Sequence, residues 1–319
     1  MQHSNIACFA DDTKLYKCID SNPDASLLQR DLTNLGNWSA SSGLTFNEDK
    51  CKCQRITRKV KPVEHSYQLA GKPLEVTTAE KDLGVWISSD LTWTRHVTEK
   101  CAKANKLLGF LRRCALEISN HRTRRTLYLA VVRPVLGYAT QVWCPQTVEL
   151  IRRTERIQRR ATKFILDLPF LCSETYKDRL VATNLLPICY WHEFMDLTLF
   201  FKATTGMISI SPNVIPQKLI PSRITRSTAN PNVTSFRIRK CKTVTYQNSF
   251  FNRTARIWNI LPECIRMPTS IQSFKLKLLE YYFEALRTSY DPEEPRTWKS
   301  ICVKCKNARL LNCPVTCCF

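Results

Sequence analysis

The stretch IACFADDTKLYKC, residues 6–18, places two adjacent aspartates, Asp11 and Asp12, between two short apolar runs. Apolar and polar side chains alternate before the pair, and a period of two is typical of a β-strand. Aspartate is also one of the residues that tight turns favour. The sequence therefore predicts a β-hairpin with Asp11 and Asp12 at or beside its turn.

The aspartate pair has a structural and a functional interpretation. Turn chemistry alone explains one carboxylate, but two adjacent carboxylates repel unless a cation neutralises them. Hard oxygen ligands of this kind suit Mg²⁺. Two-metal phosphoryl transfer needs carboxylates that converge on two ions about 3.5–4 Å apart, and the ten residues before Asp11 contain no other acid. The pair is therefore a candidate for part of a magnesium site.

The residues after the hairpin predict an α+β unit over residues 1–92. Leucines spaced by three or four positions indicate a helix that has Asn22 or Asp24 as a possible N-cap and ends at Gly43. The stretch LTFN, residues 44–47, is expected to return as a strand. Further strand-like runs are YQLAGKPLEV, residues 67–76, and DLGVWIS, residues 82–88.

From residue 93 to residue 206 the pattern becomes helical, and its clearest helix is VELIRRTERIQRRATKFILDL, residues 148–168. Its apolar side chains face one way, and basic side chains occupy another face: Arg152, Arg156, Arg159, Arg160 and Lys163. Such a stripe is often only a solvated surface. Alternatively, cations one turn apart can follow a phosphate backbone. Few acids balance these cations, which favours the second interpretation.

The overall charge also points to a polyanionic partner. The 319 residues include 48 Lys and Arg against 27 Asp and Glu, a net charge of +21. Such an excess suits nucleic acid. No apolar run reaches the length of about 20 residues that a membrane span needs, and the first residues lack the basic start of a signal peptide. We therefore expect an intracellular protein, in the cytoplasm or nucleus, with no membrane partner.

The last part of the chain divides by composition into three segments. Residues 207–235 contain four prolines and many Ser and Thr, which is typical of a linker. Residues 236–290 predict a C-terminal helical region, closed by a helix that begins near Ser270 or Ser273. Residues 291–319 form a cysteine-rich tail.

The tail contains thiols that could bind zinc. A Cys-x-x-Cys start is typical of Zn²⁺ sites, and the candidate ligands are Cys302, Cys305, Cys313 and Cys317. The spacing between the second and third of these cysteines is shorter than in a four-cysteine ribbon. Since the chain has no secretion signal, the default for its other cysteines is a free thiol.

Several of these stretches together resemble one family. FADDTKLY, residues 9–16, resembles the catalytic hairpin of reverse transcriptases from non-LTR retrotransposons, LINE elements of the jockey-like kind. The following helix, the Leu83-Gly84 region and the entry into the basic helices are similar to the palm, primer grip and thumb of that family. LYLAVVRPVLGYATQVWCP, IQRRATKFI and SFFNRTARIWNILP resemble further blocks, in the same order, up to about residue 290.

The resemblance implies an activity and roles for individual residues. It implies a partial polymerase palm of hairpin, helix and strands, then a helical thumb-like region that grips RNA template and DNA primer. Asp11 would bind Mg²⁺ with Asp12 beside it. Lys50 would serve as the general acid for the leaving pyrophosphate, or is simply an exposed lysine at a strand end. The residues expected to hold the primer end are Leu83, Gly84 and Val85.

The sequence also departs from the family pattern. The palm of these polymerases has another essential aspartate and the fingers upstream of the hairpin, and neither is expected in this chain. We therefore interpret the chain as the C-terminal part of a reverse transcriptase that is inactive on its own. The alternative is a non-catalytic nucleic-acid-binding protein built on the thumb region, with Asp11 and Asp12 as ordinary turn residues.

Overall fold

The computed structural model describes residues 3–169, 171–219, 234–267 and 270–293. Helices dominate the chain and short strands accompany them, which confirms the predicted α+β class. The chain divides into two units, Met1–Trp93 and Thr94–Phe319. Among the described residues, every strand lies in the first unit, and the second unit has one isolated β-bridge.

The predicted hairpin is confirmed. Strand β1 (Asn5–Phe9) pairs with strand β2 (Asp12–Tyr16) in antiparallel register, with Phe9 opposite Asp12. Ala10 and Asp11 form the two-residue turn, and Ala10 has a left-handed φ of 51°. A turn this short requires a positive φ, which costs a residue with a Cβ some strain.

Helix α1 (Asn22–Ser42) begins one residue earlier than expected. Its N-cap is Ser21, and the prediction of Asn22 or Asp24 in that position is wrong. Asp24 instead occupies the third helical position, where its carboxylate accepts a hydrogen bond from the Ser21 backbone N–H at 3.1 Å. This is the acidic half of a capping box. Gly43 ends the helix with a left-handed φ of 70°, as predicted.

The expected strand at residues 44–47 does not form. The backbone carbonyl of Leu44 accepts a hydrogen bond from the Ser39 hydroxyl. Asn47 caps a 3₁₀ turn at Glu48–Lys50. Local side-chain bonds of this kind compete with strand pairing. The next strand after α1 is β3 (Lys52–Gln54).

The other strands of the first unit are short. Their bounds are β4 (Gln68–Leu69), β5 (Lys72–Pro73), β6 (Glu75–Thr77), β7 (Ala79–Asp82) and β8 (Val85–Ser88). Together with β1–β3 they form four separate two-stranded sheets: β1–β2, β3–β6, β4–β5 and β7–β8. The β3–β6 pair is parallel and the other three are antiparallel. Among the described residues these pairs do not join into one larger sheet.

The regular secondary structure in the described part of the second unit is helical, apart from one β-bridge. Their bounds are α2 (Thr94–Cys114), α3 (His121–Leu127), α4 (Arg133–Gly137), α5 (Thr140–Trp143), α6 (Val148–Ile165), α7 (Tyr176–Ala182), α8 (Ile188–Thr204), α9 (Val244–Gln247), α10 (Phe250–Ile260), α11 (Glu263–Arg266) and α12 (Ile271–Thr288). A π-helical segment, Tyr128–Val132, joins α3 to α4 just before Pro134. Proline has no backbone N–H to donate, which disturbs the regular α-helical hydrogen bonding at this point.

The core of the second unit centres on α8, which α6, α10 and α12 contact. Its aromatic side chains pack against those of the last helices: Phe201 stacks on Phe274 with ring centroids 4.6 Å apart, and Phe200 lies 5.5 Å from Trp258. The N-cap of α12 is Ser270, one of the two residues predicted, and its hydroxyl accepts from the Ser273 backbone N–H at 3.2 Å.

Part of the predicted linker is described, residues 207–219 and 234–235, and the Leu219 backbone N–H donates to the Ser235 carbonyl at 2.8 Å. Lys218 forms an antiparallel bridge with Phe236. Residues 220–233 lie outside the described part, as does the tail from residue 294 with its candidate zinc ligands. The described cysteines are all free thiols. Within the described ranges, no helix is long and apolar enough to cross a membrane.

Candidate functional site

The aspartate hairpin exposes its carboxylates. Asp11 lies in the turn, Asp12 begins β2, and both side chains are exposed. Phe9, opposite Asp12, is 65% exposed. The base of the hairpin is fixed to α1, because the buried carboxylate of Asp31 accepts from the backbone N–H groups of His3 at 2.9 Å and Ser4 at 2.8 Å. The hairpin therefore presents its two aspartates from an anchored base.

The structure brings this hairpin next to the predicted primer-grip hairpin. An ion pair joins Lys14 of β2 to Asp82 at the end of β7. The turn that follows Asp82 consists of Leu83 and Gly84, with left-handed φ values of 44° and 81°. Leu83 is 40% exposed, whereas Val85 is buried in the unit. Only the first two of the three predicted primer-grip residues therefore lie at the tip.

The roles expected of Lys50 as a general acid and of Asp11 and Asp12 as metal ligands stay predictions. Lys50 is exposed at the end of the 3₁₀ turn, where its backbone N–H donates to the Asn47 side chain at 3.3 Å. Asp11 and Asp12 are chemically suited to Mg²⁺ as carboxylates. The described residues nevertheless contain no cluster of three or more His, Cys, Asp or Glu that could hold a metal ion. The assignment of Asp11 and Asp12 as metal ligands therefore stays a prediction.

One edge of the row of basic side chains on α6 is fixed to α2. The Arg153 guanidinium donates to the Thr98 hydroxyl at 3.2 Å, and Arg160 donates to the Asn105 side chain at 2.8 Å. From the first contact to the second, the residue number rises by seven on both helices, so α2 and α6 run in the same direction. Arg153 also pairs with Glu149 one turn earlier, at 2.8 Å. The sequence interpretation did not include Arg153 among the binding residues.

The other edge of α6 is fixed to the residues after α12. Arg152 donates to the Glu293 backbone carbonyl at 2.6 Å, and Arg159 donates to the Pro292 carbonyl at 3.0 Å. Arg159 also pairs with the Glu293 carboxylate at 3.0 Å and lies over the Tyr176 ring, 4.9 Å from its centroid.

Arg156 and Lys163 lie between these two edges. Positions 152, 156, 159 and 163 form one stripe of the helix, and positions 153, 156, 160 and 163 form a second stripe beside it. Arg156 and Lys163 belong to both stripes. Arg156 is exposed, and no carboxylate among the described residues pairs with it. We call the set Arg152, Arg153, Arg156, Arg159, Arg160 and Lys163 the α6 basic face.

The opposite side of α6 holds a buried polar network. Glu155 accepts hydrogen bonds from the Tyr176 hydroxyl and from the Ile188 backbone N–H, the latter at 2.9 Å. Gln158 accepts from the Tyr128 hydroxyl at 3.0 Å and donates to the Leu186 carbonyl at 2.8 Å. Burial raises the pKa of Glu155 to about 7. The network fixes the rotation of α6 and so keeps the basic face outward.

Two further positions in the second unit were not identified from the sequence. Arg253 of α10 forms a fully buried ion pair with Asp196 of α8 at 2.8 Å. Gly137 lies against Trp191, and a Cβ at this position would come within 2.2 Å of the indole ring. No local pattern distinguishes Arg253 from the neighbouring Arg256 of α10, and none reveals the close approach at Gly137.

Comparison with known proteins gives two relatives, both from Drosophila melanogaster. The chain is 29% identical over 172 residues to a probable RNA-directed DNA polymerase from transposon BS, which covers 52% of this chain and 19% of that protein. It is 26% identical over 192 residues to a probable RNA-directed DNA polymerase from transposon X-element, covering 56% and 20%.

The chain therefore spans about a fifth of the length of these curated relatives. No protein-family model matches the chain, and no solved structure matches it. Over about half of its residues the chain is related to transposon RNA-directed DNA polymerases, which confirms its resemblance to the reverse transcriptases of non-LTR retrotransposons.

Proposed function

We propose that the chain is part of a retrotransposon RNA-directed DNA polymerase and that its second unit holds the hybrid of RNA template and DNA primer. The observation that carries this proposal is the α6 basic face, in which Arg156 and Lys163 lie between two edges of fixed arginines. Nucleic-acid backbones attract such a surface through their phosphates.

The fixed edges favour a binding surface over a solvated one. Free arginine side chains lose rotamer freedom when they bind, and this loss weakens affinity. Arg152, Arg153, Arg159 and Arg160 are already held by the protein. They therefore lose less entropy on contact with phosphates than free side chains would. Since A-form duplexes are recognised by backbone and shape, a rigid row of cations suits them.

We propose catalytic roles only for the first unit. Asp11 and Asp12 would be ligands of Mg²⁺, which in two-metal transfer stabilises the attacking and leaving oxygens. Leu83 and Gly84 would support the primer end beside them, since the Lys14–Asp82 ion pair joins the two hairpins. The exposed Lys50 would donate a proton to the leaving pyrophosphate.

We propose that the 319 residues do not incorporate nucleotides on their own. Two-metal transfer needs carboxylates that converge on both ions, and Asp11 and Asp12 lie side by side on one hairpin. Binding without incorporation would also fit the alternative, a nucleic-acid-binding protein without catalysis. We propose an intracellular location because the template and primer are found there.

The test combines binding with primer extension on the purified chain. A fluorescein-labelled RNA–DNA hybrid is titrated by anisotropy at several salt concentrations, and the same hybrid is incubated with deoxynucleotides and Mg²⁺. We expect salt-dependent binding and no extension. Absence of binding at low salt would contradict the nucleic-acid function. Extension that Asp11→Asn abolishes would contradict the inactivity of this chain and support the proposed metal site.

A further inference from the structure

The second unit contains a long stretch without acids. No Asp or Glu occurs between Asp196 and Glu263, although Lys and Arg recur throughout. In the described part of this stretch, the cations concentrate in RIRKCK, residues 237–242. The exposed cations there are Arg237, Lys240 and Lys242. No hydrogen bond or ion pair within the described ranges engages these three side chains, so they remain available to an anion.

The backbone that leads into this segment is fixed. Phe236 is buried, and its backbone N–H donates to Asn259 of α10 at 2.9 Å while its carbonyl accepts from the same side chain at 2.8 Å. The Arg237 backbone N–H donates to the Gln217 carbonyl at 2.8 Å. Anchoring of this kind reduces the entropy that the segment loses on binding.

Arg239 has a different role from its basic neighbours. Its guanidinium donates to the Asn213 carbonyl at 2.9 Å and to the Tyr246 hydroxyl at 3.3 Å. It therefore positions Tyr246, a residue that is 45% exposed. Ile238 is exposed to a similar extent, 46%. Exposed apolar and aromatic faces thus alternate with free cations over residues 237–246.

The segment lines a pocket of about 460 Å³. Its lining among the described residues consists of Gln217, Arg237, Ile238, Arg239 and Lys240. Cations that follow a backbone, together with aromatic faces for unpaired bases, are the combination that single-stranded nucleic acid requires. A duplex offers its phosphates but keeps its base faces stacked inside. The exposed aromatic ring therefore favours a single strand.

We propose that residues 237–246 bind single-stranded nucleic acid. Arg237, Lys240 and Lys242 contact successive phosphates, and the ring of Tyr246 stacks on an unpaired base. The proposal rests on the proposed function in one respect. The α6 basic face would hold the double-stranded part of the nucleic acid, and residues 237–246 would hold the single strand that continues from it.

The experiment uses the full chain and three labelled probes: a blunt RNA–DNA hybrid, the same hybrid with a single-stranded RNA extension, and the single-stranded RNA alone. The test variant is R237Q/K240Q/K242Q. The control K275Q/K277Q/R287Q removes the same charge from exposed positions of α12. A second pair, Tyr246→Ala and Tyr246→Phe, separates loss of the ring from loss of the hydroxyl. Circular dichroism verifies that each variant is folded.

We expect the test variant to lose about tenfold or more in affinity for the RNA alone and for the extended hybrid. For the RNA alone, the slope of log Kobs against log salt concentration should decrease in magnitude by about 2, since three phosphate contacts each contribute about 0.7. Blunt-hybrid affinity should stay within the range of the control. Tyr246→Ala should weaken RNA binding most, and Tyr246→Phe should weaken it less, because phenylalanine keeps the ring and loses only the hydrogen bond from Arg239.

Other outcomes distinguish the two proposals. If the wild type binds the blunt hybrid but the test variant matches the control on every probe, the single-strand site is wrong and the α6 function stands. If the wild type binds the RNA alone and not the blunt hybrid, the α6 function is wrong. Binding of phosphatidylserine vesicles that exceeds RNA binding, and that the test variant loses, would make the segment a membrane contact and overturn the proposal.

Discussion

The guanidinium of Arg253 and the carboxylate of Asp196 form an ion pair at 2.8 Å in the interior of the second unit, where both side chains are almost fully buried. Arg253 also donates to the backbone carbonyls of Thr140 at 3.1 Å, Gln141 at 3.0 Å and Asn248 at 2.9 Å. One side chain thus joins α10 to α8, to α5 and to the residue after α9.

Arg253→Met should therefore lower the free energy of unfolding by about 3–5 kcal/mol, because it leaves a buried carboxylate without its partner. Urea denaturation followed by circular dichroism measures this loss. Asp196→Leu combined with Arg253→Met should recover part of it, since the unpaired charge is then removed. If the unfolding free energy of Arg253→Met alone lies within about 0.5 kcal/mol of the wild-type value, the ion pair does not stabilise the fold.

Gly137→Ala should also destabilise the second unit. The added methyl group would come within 2.2 Å of the Trp191 ring, and Trp191 is held on its face by Arg133 at 4.3 Å. Overpacking of this kind costs about 1–3 kcal/mol. Gly109→Ala is the matched control: its Cβ would lie 3.6 Å from Arg113, an ordinary contact. In this helix interior, alanine should stabilise by about 0.5–1 kcal/mol. Equal melting temperatures for the two variants would contradict the close approach.

Stability should depend on pH through Glu155. Burial raises the pKa of this carboxyl in the folded protein to about 7, above its value in the unfolded chain. The folded state therefore binds a proton that the unfolded state has already released, and stability falls as pH rises from about 4.5 to about 7.

Glu155→Gln should remove this component, which is on the order of 3 kcal/mol. The measurement is the difference in unfolding free energy between wild type and variant at pH 5 and at pH 8. The variant should gain stability relative to the wild type at the higher pH. A difference that does not change with pH would contradict the raised pKa.

The turn between β7 and β8 offers a local test. Leu83 and Gly84 both have left-handed φ values, and a residue with a Cβ loses about 1–2 kcal/mol in that region. Gly84→Ala should therefore destabilise the first unit by about that amount. Leu83→Asn should leave stability unchanged or raise it, because asparagine tolerates this conformation and the leucine is 40% exposed. If Leu83→Asn instead destabilises the unit as much as Gly84→Ala, the leucine has a packing role that its exposure does not indicate.

Features set by local sequence were predictable. The Asp11–Asp12 hairpin, the Gly43 terminus of α1 and the Ser270 cap of α12 each depend on residues within a few positions. The strand expected at residues 44–47 failed because the Ser39 hydroxyl and the Asn47 cap bind the backbone there. The N-cap of α1 was placed wrongly because Ser21, Asn22 and Asp24 are all good capping residues.

Features set by contacts distant in sequence were not predictable. The basic stripe of α6 is visible in the sequence, but its fixed edges depend on Thr98, Asn105 and residues 292–293, which only the fold brings to α6. The roles of Arg253 and Gly137 depend in the same way on α8. Sequence periodicity reports which face of a helix is apolar, and it does not identify the partner that this face meets.

Binding of the RNA–DNA hybrid by the α6 basic face is tested most directly by the salt dependence of the binding constant. R156Q/K163Q removes the two cations between the fixed edges, and K275Q/R287Q removes the same charge from exposed positions of α12. The measurement is the slope of log Kobs against log salt concentration for the blunt RNA–DNA hybrid. Each phosphate contact contributes about 0.9 to this slope, so R156Q/K163Q should lower its magnitude by about 2 and the control should leave it unchanged. Equal slopes for wild type, R156Q/K163Q and the control would show that the α6 basic face is only a solvated surface.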